Sequence, residues 1–172
     1  RFRNDNLVSL LTQRPVESAY GGEFDLRVYV TSVEPGEHLA MVKGDLSAPG
    51  PVLVRVHAVK PLSDLLGIKG QIDRSGAIQK SLEAIAMEGR GVLVLVRDLR
   101  LKAIMHALGL EAPGTLQRRP LQGRRMVEVG IGSQILRHLG VRDMILLTNS
   151  PASVYVGLEG FGLRVIGTRR IS

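Results

Sequence analysis

Val92-Leu-Val-Leu-Val96 is the stretch that most restricts how this chain can fold. Consecutive side chains of a strand point to opposite faces, so five apolar residues in a row leave neither face polar. Such a strand needs cover on both sides and belongs in the middle of a sheet layered between helices. The neighbouring sequence supplies the helices. Ser75 to Glu88 places Ile78, Leu82 and Ile85 at helical spacing, with Gly89 as the stop. Leu99 to Leu108, closed by Gly109, and Gly132 to Leu139, closed by Gly140, read as two more helices. Met144 to Leu147 and Leu163 to Ile166 read as short strands. Helices alternating with strands predict a layered α/β half.

The first half follows a period of two. Phe24, Leu26, Val28 and Val30 alternate with Asp25, Arg27, Tyr29 and Thr31, the pattern of a half-buried strand whose polar side includes Tyr29. Pro35-Gly36 turns the chain into a strand from His38 to Val42. Ala48-Pro-Gly-Pro51 turns it again into a strand from Val52 to His57. This meander predicts antiparallel pairing. Upstream, Asn4 to Gln13 reads as a short helix capped by Asp5, with Leu7, Leu10 and Leu11 on one face and Pro15 as its stop. The fold class is therefore α/β with mixed α+β character: an antiparallel, strand-rich N-terminal part followed by a layered α/β part. The expected division is 1–19 as an N-terminal helix and linker, and 20–172 as one domain.

Composition narrows the function. The chain has no Cys, which excludes disulfides and thiolate metal sites. It has no Trp and only 3% aromatic residues, so the core is aliphatic. No apolar run reaches the ~18 residues of a membrane span. No signal peptide is visible; the chain opens on Arg1, which reads as a domain boundary, and a cytoplasmic location is expected. A formal charge of +7 suits phosphate-bearing partners, and equally suits plain solubility. The aromatics are scattered, so no stacking platform for nucleic acid is present. Glu111 to Arg125 contains Pro113, Gly114, Pro120 and Gly123 and reads as a loop. Its Arg118, Arg119, Arg124 and Arg125 are read as a solvated run rather than a phosphate clamp.

Several pieces, in order, resemble one family. They are Tyr20-Gly-Gly-Glu-Phe24, His38-Leu-Ala-Met-Val-Lys-Gly-Asp45, Val52-Leu-Val-Arg-Val-His57, Glu88-Gly-Arg-Gly-Val92, Gly130-Ile-Gly-Ser-Gln-Ile-Leu136, Leu139-Gly-Val141 and the segment from Leu146-Leu-Thr-Asn-Ser-Pro151 to Leu163. Together they resemble GTP cyclohydrolase II, the zinc enzyme that opens the guanine ring at the start of riboflavin synthesis. Most of the matches are glycines and apolar residues, so they report architecture before activity.

The resemblance implies a catalytic zinc on three thiolates, and the matching positions here are approximately Lys60, Ile72 and Arg74. Two cations and an aliphatic side chain are not zinc ligands. A replacement built from His57 with Asp64 or Asp73 lacks support, because His38, His57, His106 and His138 show no ligand-like spacing. No metal and no cofactor are expected. The family's Glu-Gly-Arg clamp falls on Asp98-Leu-Arg-Leu-Lys102, leaving Arg100 as a phosphate contact. Its proton-transfer Asp and following Arg fall on Arg125 and Val127, neither of which can do that work. Glu128 reads as a solvent-facing residue. A late family Lys is replaced near Ser153. Arg55, His57 and Thr148 match family positions near the nucleotide and are candidate nucleotide or phosphate contacts, or else scaffold.

The expectation is a catalytically degenerate relative, a pseudoenzyme, that supports a linked 3,4-dihydroxy-2-butanone 4-phosphate synthase domain. The resemblance implies a homodimer, and the opening segment before Pro15 sits where an interdomain segment would lie in such a fusion. The alternatives are a binding module for a phosphate-bearing nucleotide or flavin precursor, and an active cyclohydrolase with a rebuilt metal site.

Overall fold

The computed structural model describes residues 8–32, 35–69, 76–98, 103–110, 121–149 and 158–171. In chain order the elements are β1 (Val8–Ser18), β2 (Gly22–Thr31), β3 (Glu37–Lys43), β4 (Val52–Ala58), α1 (Pro61–Asp64), α2 (Ala77–Glu88), β5 (Gly91–Val96), α3 (Ala103–Ala107), α4 (Leu121–His138), β6 (Asp143–Leu147) and β7 (Arg164–Arg169). The strands make one sheet in the order β1-β2-β3-β5-β4-β6-β7.

β5, the uniformly apolar strand, is where two kinds of pairing meet. It pairs antiparallel with β3 and parallel with β4. Val92, Val94 and Val96 point into one cluster with Ile135 and Leu136 of α4, together with Ala40, Val54 and Met144 from neighbouring strands. Leu93 points into the other with Leu82 and Ile85 of α2, Leu53 and Leu147. Each of these buried Val, Leu, Ile and Met side chains contributes roughly 1.5–3 kcal/mol to stability. Two helices on opposite faces are thus the cover that the run of five apolar residues demands.

α2 ends at Gly89, whose φ of 84° suits only glycine, and whose N–H bonds the Ile85 carbonyl. Arg90 then donates to the carbonyls of Asp45, Ala48, Gly50 and Pro51, closing the β3–β4 connection. At Gly91 a Cβ would lie 2.6 Å from the Leu53 carbonyl and 3.0 Å from Ile85. The Glu88-Gly-Arg-Gly-Val92 piece therefore serves packing.

Several expectations change. Residues 8–18 form a strand, not a helix, and pair with β2 from Val8↔Thr31 to Ser18↔Gly22. A ten-residue helix is marginal alone, and a ladder to β2 outweighs its pattern. Pro15 is tolerated because β1 is an edge strand, and the register slips between Leu10 and Thr12, leaving Leu11 exposed. Residues 8–18 therefore belong to the sheet, and residues 1–7 of the expected N-terminal segment lie outside the described residues. β4 leaves the antiparallel meander and runs parallel between β5 and β6. Tyr29 is fully buried, because β2 is covered on both faces: Phe24 on the α2 side, Tyr29 on the α4 side. Its hydroxyl lies 2.9 Å from His138 Nδ1, near the end of α4.

Residues 121–125, expected in a loop, open α4, which begins right after Pro120. Its Gly123, Gly130 and Gly132 lower helix propensity, and packing of Val129, Ile131, Ile135 and Leu136 against the sheet overrides that. The helix expected at 99–108 is described over Ala103–Ala107. The last strand runs Arg164–Arg169 rather than ending at Ile166. Arg100, Ile72, Asp73, Arg74, Ser153, Arg118 and Arg119 lie outside the described residues, as do the side chains of His106, Arg124 and Arg125.

Candidate functional site

β4, β5, β6 and β7 run parallel, so their C-terminal ends share one edge of the sheet. The chain leaves β4 over the α2 face to reach β5, then returns over the α4 face to reach β6 on the other side of β4. A reversal of this kind opens a crevice at the strand ends, the usual ligand position in open α/β sheets. The polar residues of β4 lie there.

Arg55 and His57 follow Leu53 on the α2-facing side of β4. Arg55 Nη1 donates to the Leu147 carbonyl at 3.3 Å, and Nη2 lies 2.8 Å from His57 Nδ1. His57 Nε2 lies 2.9 Å from Asp64 Oδ2, which also accepts the Lys60 N–H at 2.8 Å. A guanidinium only donates, so Nδ1 is the acceptor and the ring carries its proton on Nε2, directed at Asp64. His57 is 0% exposed and the Asp64 side chain 3%. Asp64 closes α1, whose first residue is Pro61, and its own N–H bonds the Lys60 carbonyl.

On the other side of the turn, Lys60 Nζ lies 3.7 Å from Glu128 Oε2 of α4. The Glu128 side chain is only 12% exposed, so it is not the solvent-facing residue expected. It sits on the stretch of α4 that includes Val129 and Ile131, both buried, and so faces the strand ends. Val127, next to it, packs on the core. Thr148, at the end of β6, is buried and its N–H bonds the Arg169 carbonyl. Arg97, at the end of β5, donates its N–H to His38 Nδ1.

Arg55, His57 and Thr148 are thus gathered at the β4–β6 seam. His57 cannot reach a ligand with either nitrogen while this network stands. Asp64 and Glu128 are the residues the sequence reading undervalued. A carboxylate four residues after Lys60, inside Pro61-Leu-Ser-Asp64, is the local signal for a closed turn; for Glu128 the signal was its place beside buried Val129.

These residues do not fit a catalytic zinc. Among the described residues no group of three or more His, Cys, Asp or Glu is arranged to hold a metal ion. His57 has a guanidinium on one nitrogen, and the ammonium of Lys60 stands where a thiolate was implied. No helix among the described residues is long and apolar enough to cross a membrane.

Fold and site define a layered α/β domain with a polar network of paired charges at the ends of its parallel strands. A sequence profile of GTP cyclohydrolase II matches residues 10–170, and the chain belongs to that family. It is 41% identical over 96% of its length to the riboflavin biosynthesis protein RibBA of Chlorobium phaeovibrioides, covering 42% of that protein. It is 34% identical over 97% of its length to the monofunctional riboflavin biosynthesis protein RIBA 3 of Arabidopsis thaliana, covering 34% of that protein. The crystal structure of RibBX, a two domain 3,4-dihydroxy-2-butanone 4-phosphate synthase from A. baumannii, superposes with a TM-score of 0.67 at 30% identity, over 96% of this chain and 41% of that one. The chain thus spans well under half the length of these relatives.

Proposed function

We propose that this domain of riboflavin biosynthesis has lost cyclohydrolase chemistry and supports a linked 3,4-dihydroxy-2-butanone 4-phosphate synthase domain. The support is to assembly, stability or regulation. One observation carries the reading: the end of β4 holds a closed Arg55–His57–Asp64 network and a Lys60–Glu128 ion pair in the place of a metal centre. Metal-assisted hydrolysis needs three protein ligands and an open position, and the described residues at this end of the sheet offer no such ligand set. The description of the A. baumannii relative as a two domain synthase agrees with such a division of labour.

The test uses the full-length chain that carries this domain. Deleting the domain is expected to lower synthase activity or change its oligomeric state; identical behaviour removes the support role. Metal analysis is expected to find zinc far below stoichiometric, with no formate released from GTP. Stoichiometric zinc with turnover means that an active site was rebuilt.

Binding of a phosphate-bearing nucleotide or flavin precursor is a second reading. The half-buried guanidinium of Arg55 beside the β6 end and Thr148 favours it. Titration with GTP, ribulose 5-phosphate, FMN and riboflavin decides; no heat at millimolar ligand removes it.

A further inference from the structure

The edge of the sheet that holds this network also displays large apolar side chains to water. Leu65, Leu66 and Ile68, just past α1, are 77%, 70% and 52% exposed. Met105 and Leu108, on and just after α3, are 43% and 51% exposed, and Met126 of α4 is 55% exposed. These segments follow the adjacent ends of β4 and β5, which run in register up to Ala58↔Val96. Met126 is two residues before Glu128, which reaches Lys60 at the same end.

The α1 part of this display is held firmly. The N–H groups of Leu65 and Leu66 bond the Pro61 carbonyl, that of Gly67 bonds Ser63, and that of Ile68 bonds Leu62. Asp64 anchors the turn to buried His57 and to the Lys60 N–H. Apolar side chains fixed in water by a buried ionic network carry the signature of an interface, where pre-organised anchors reduce the entropy lost on docking.

We infer that this face docks the linked synthase domain; the inference rests on the reading that such a domain is present. Two observations choose that occupant. The A. baumannii relative carries its equivalent of this chain in a two domain protein, of which the match covers 41%. A tethered domain is held at high effective concentration, so a patch of modest size suffices to bind it. Exposed Lys69 lies at the same edge, so the docked surface is apolar at its centre with a carboxylate at its rim.

Two arms test this in the full-length chain. A photo-crosslinker placed at position 66 through Leu66→Cys, unique in this cysteine-free domain, is expected to join a peptide of the synthase domain. Crosslinks to residues 1–172 of a second copy, read by isotope mixing, overturn the proposal, and so does the absence of any protein crosslink. In the second arm, Leu65→Ser, Leu66→Ser and Met105→Ser together are expected to abolish protection from hydrogen exchange at 61–68 that the wild-type chain shows relative to a chain lacking the synthase domain. They are also expected to bring synthase activity to that of the synthase domain alone, with this domain still melting cooperatively. Unchanged protection overturns the docking surface. A positive crosslink with no activity change on deleting the domain leaves the docking intact and removes the support role instead.

Discussion

A guanidinium has no lone pair to accept with, and that alone places the proton of His57. With Nδ1 accepting from Arg55, the imidazole must give its Nε2 proton to Asp64, and Asp64 in turn holds the Lys60 amide. Removing the carboxylate strands two donors in a site nearly sealed from water. Asp64→Ala is expected to lower stability by roughly 2–5 kcal/mol in urea unfolding. Asp64→Asn is expected to cost less, because its amide oxygen can take the place of Oδ2 and accept from both donors, losing only the charge. Tyr29 gives a milder case. Its hydroxyl meets His138, which is exposed and can turn to water, so Tyr29→Phe should cost only about 0.5–1.5 kcal/mol. The pH dependence is more telling. Burial raises the phenol above its ordinary pKa of 10.0, with Arg27 opposing. The unfolded chain then loses its phenolic proton first as pH climbs. Tyr29's contribution is complete below about pH 10 and is lost as pH rises towards the folded value. Urea midpoints at about pH 9 and about pH 10.5 should therefore fall less in Tyr29→Phe than in the wild type. Neither residue's role could be read from alternation alone: Tyr29 fell on the polar side of β2, and a second covering layer decided otherwise.

At the level of elements, α4 shows what local pattern can and cannot reveal. Pro120, Gly123, Gly130 and Gly132 argue for a loop or a late start, and the helix forms because its apolar residues close one face of the sheet. Two of its glycines differ in kind. At Gly132 a Cβ would sit 2.9 Å from Cγ1 of Val56, a stiff β-branched side chain on β4. At Gly130 the nearest atom is on the Phe161 ring at 3.4 Å, an ordinary contact. Alanine at either site gains up to about 1 kcal/mol of helix propensity. At Gly132 the helix must move off β4, at about 1–3 kcal/mol. Thermal melts should show Gly130→Ala stabilised and Gly132→Ala destabilised; the same sign at both would mean that Gly132 is not a close contact. β1 shows the converse error. Leu7, Leu10 and Leu11 fit a helical face, yet pairing with β2 decides the conformation of residues 8–18, and a single chain pattern cannot announce its partner strand.

For the whole molecule, the layered half was legible because β5 carries its demand for two covers in five residues, and because Ile78, Leu82 and Ile85 supply one of them at the right spacing. Strand order was not legible. Nothing in Val52 to His57 says that it will run parallel beside β5 and β6 instead of continuing the hairpins before it. That order has a consequence for how the chain is made. β3 emerges early, yet the partner for its second edge is β5, completed roughly fifty residues later. At roughly 5–20 residues per second of synthesis, that edge waits for several seconds. Until then the half-built sheet offers unpaired amides beside Ala40 and Val42, a template for any other unfinished strand nearby. The central strand that unites the two kinds of pairing is also the late arrival that ends the nascent chain's exposure to misassembly.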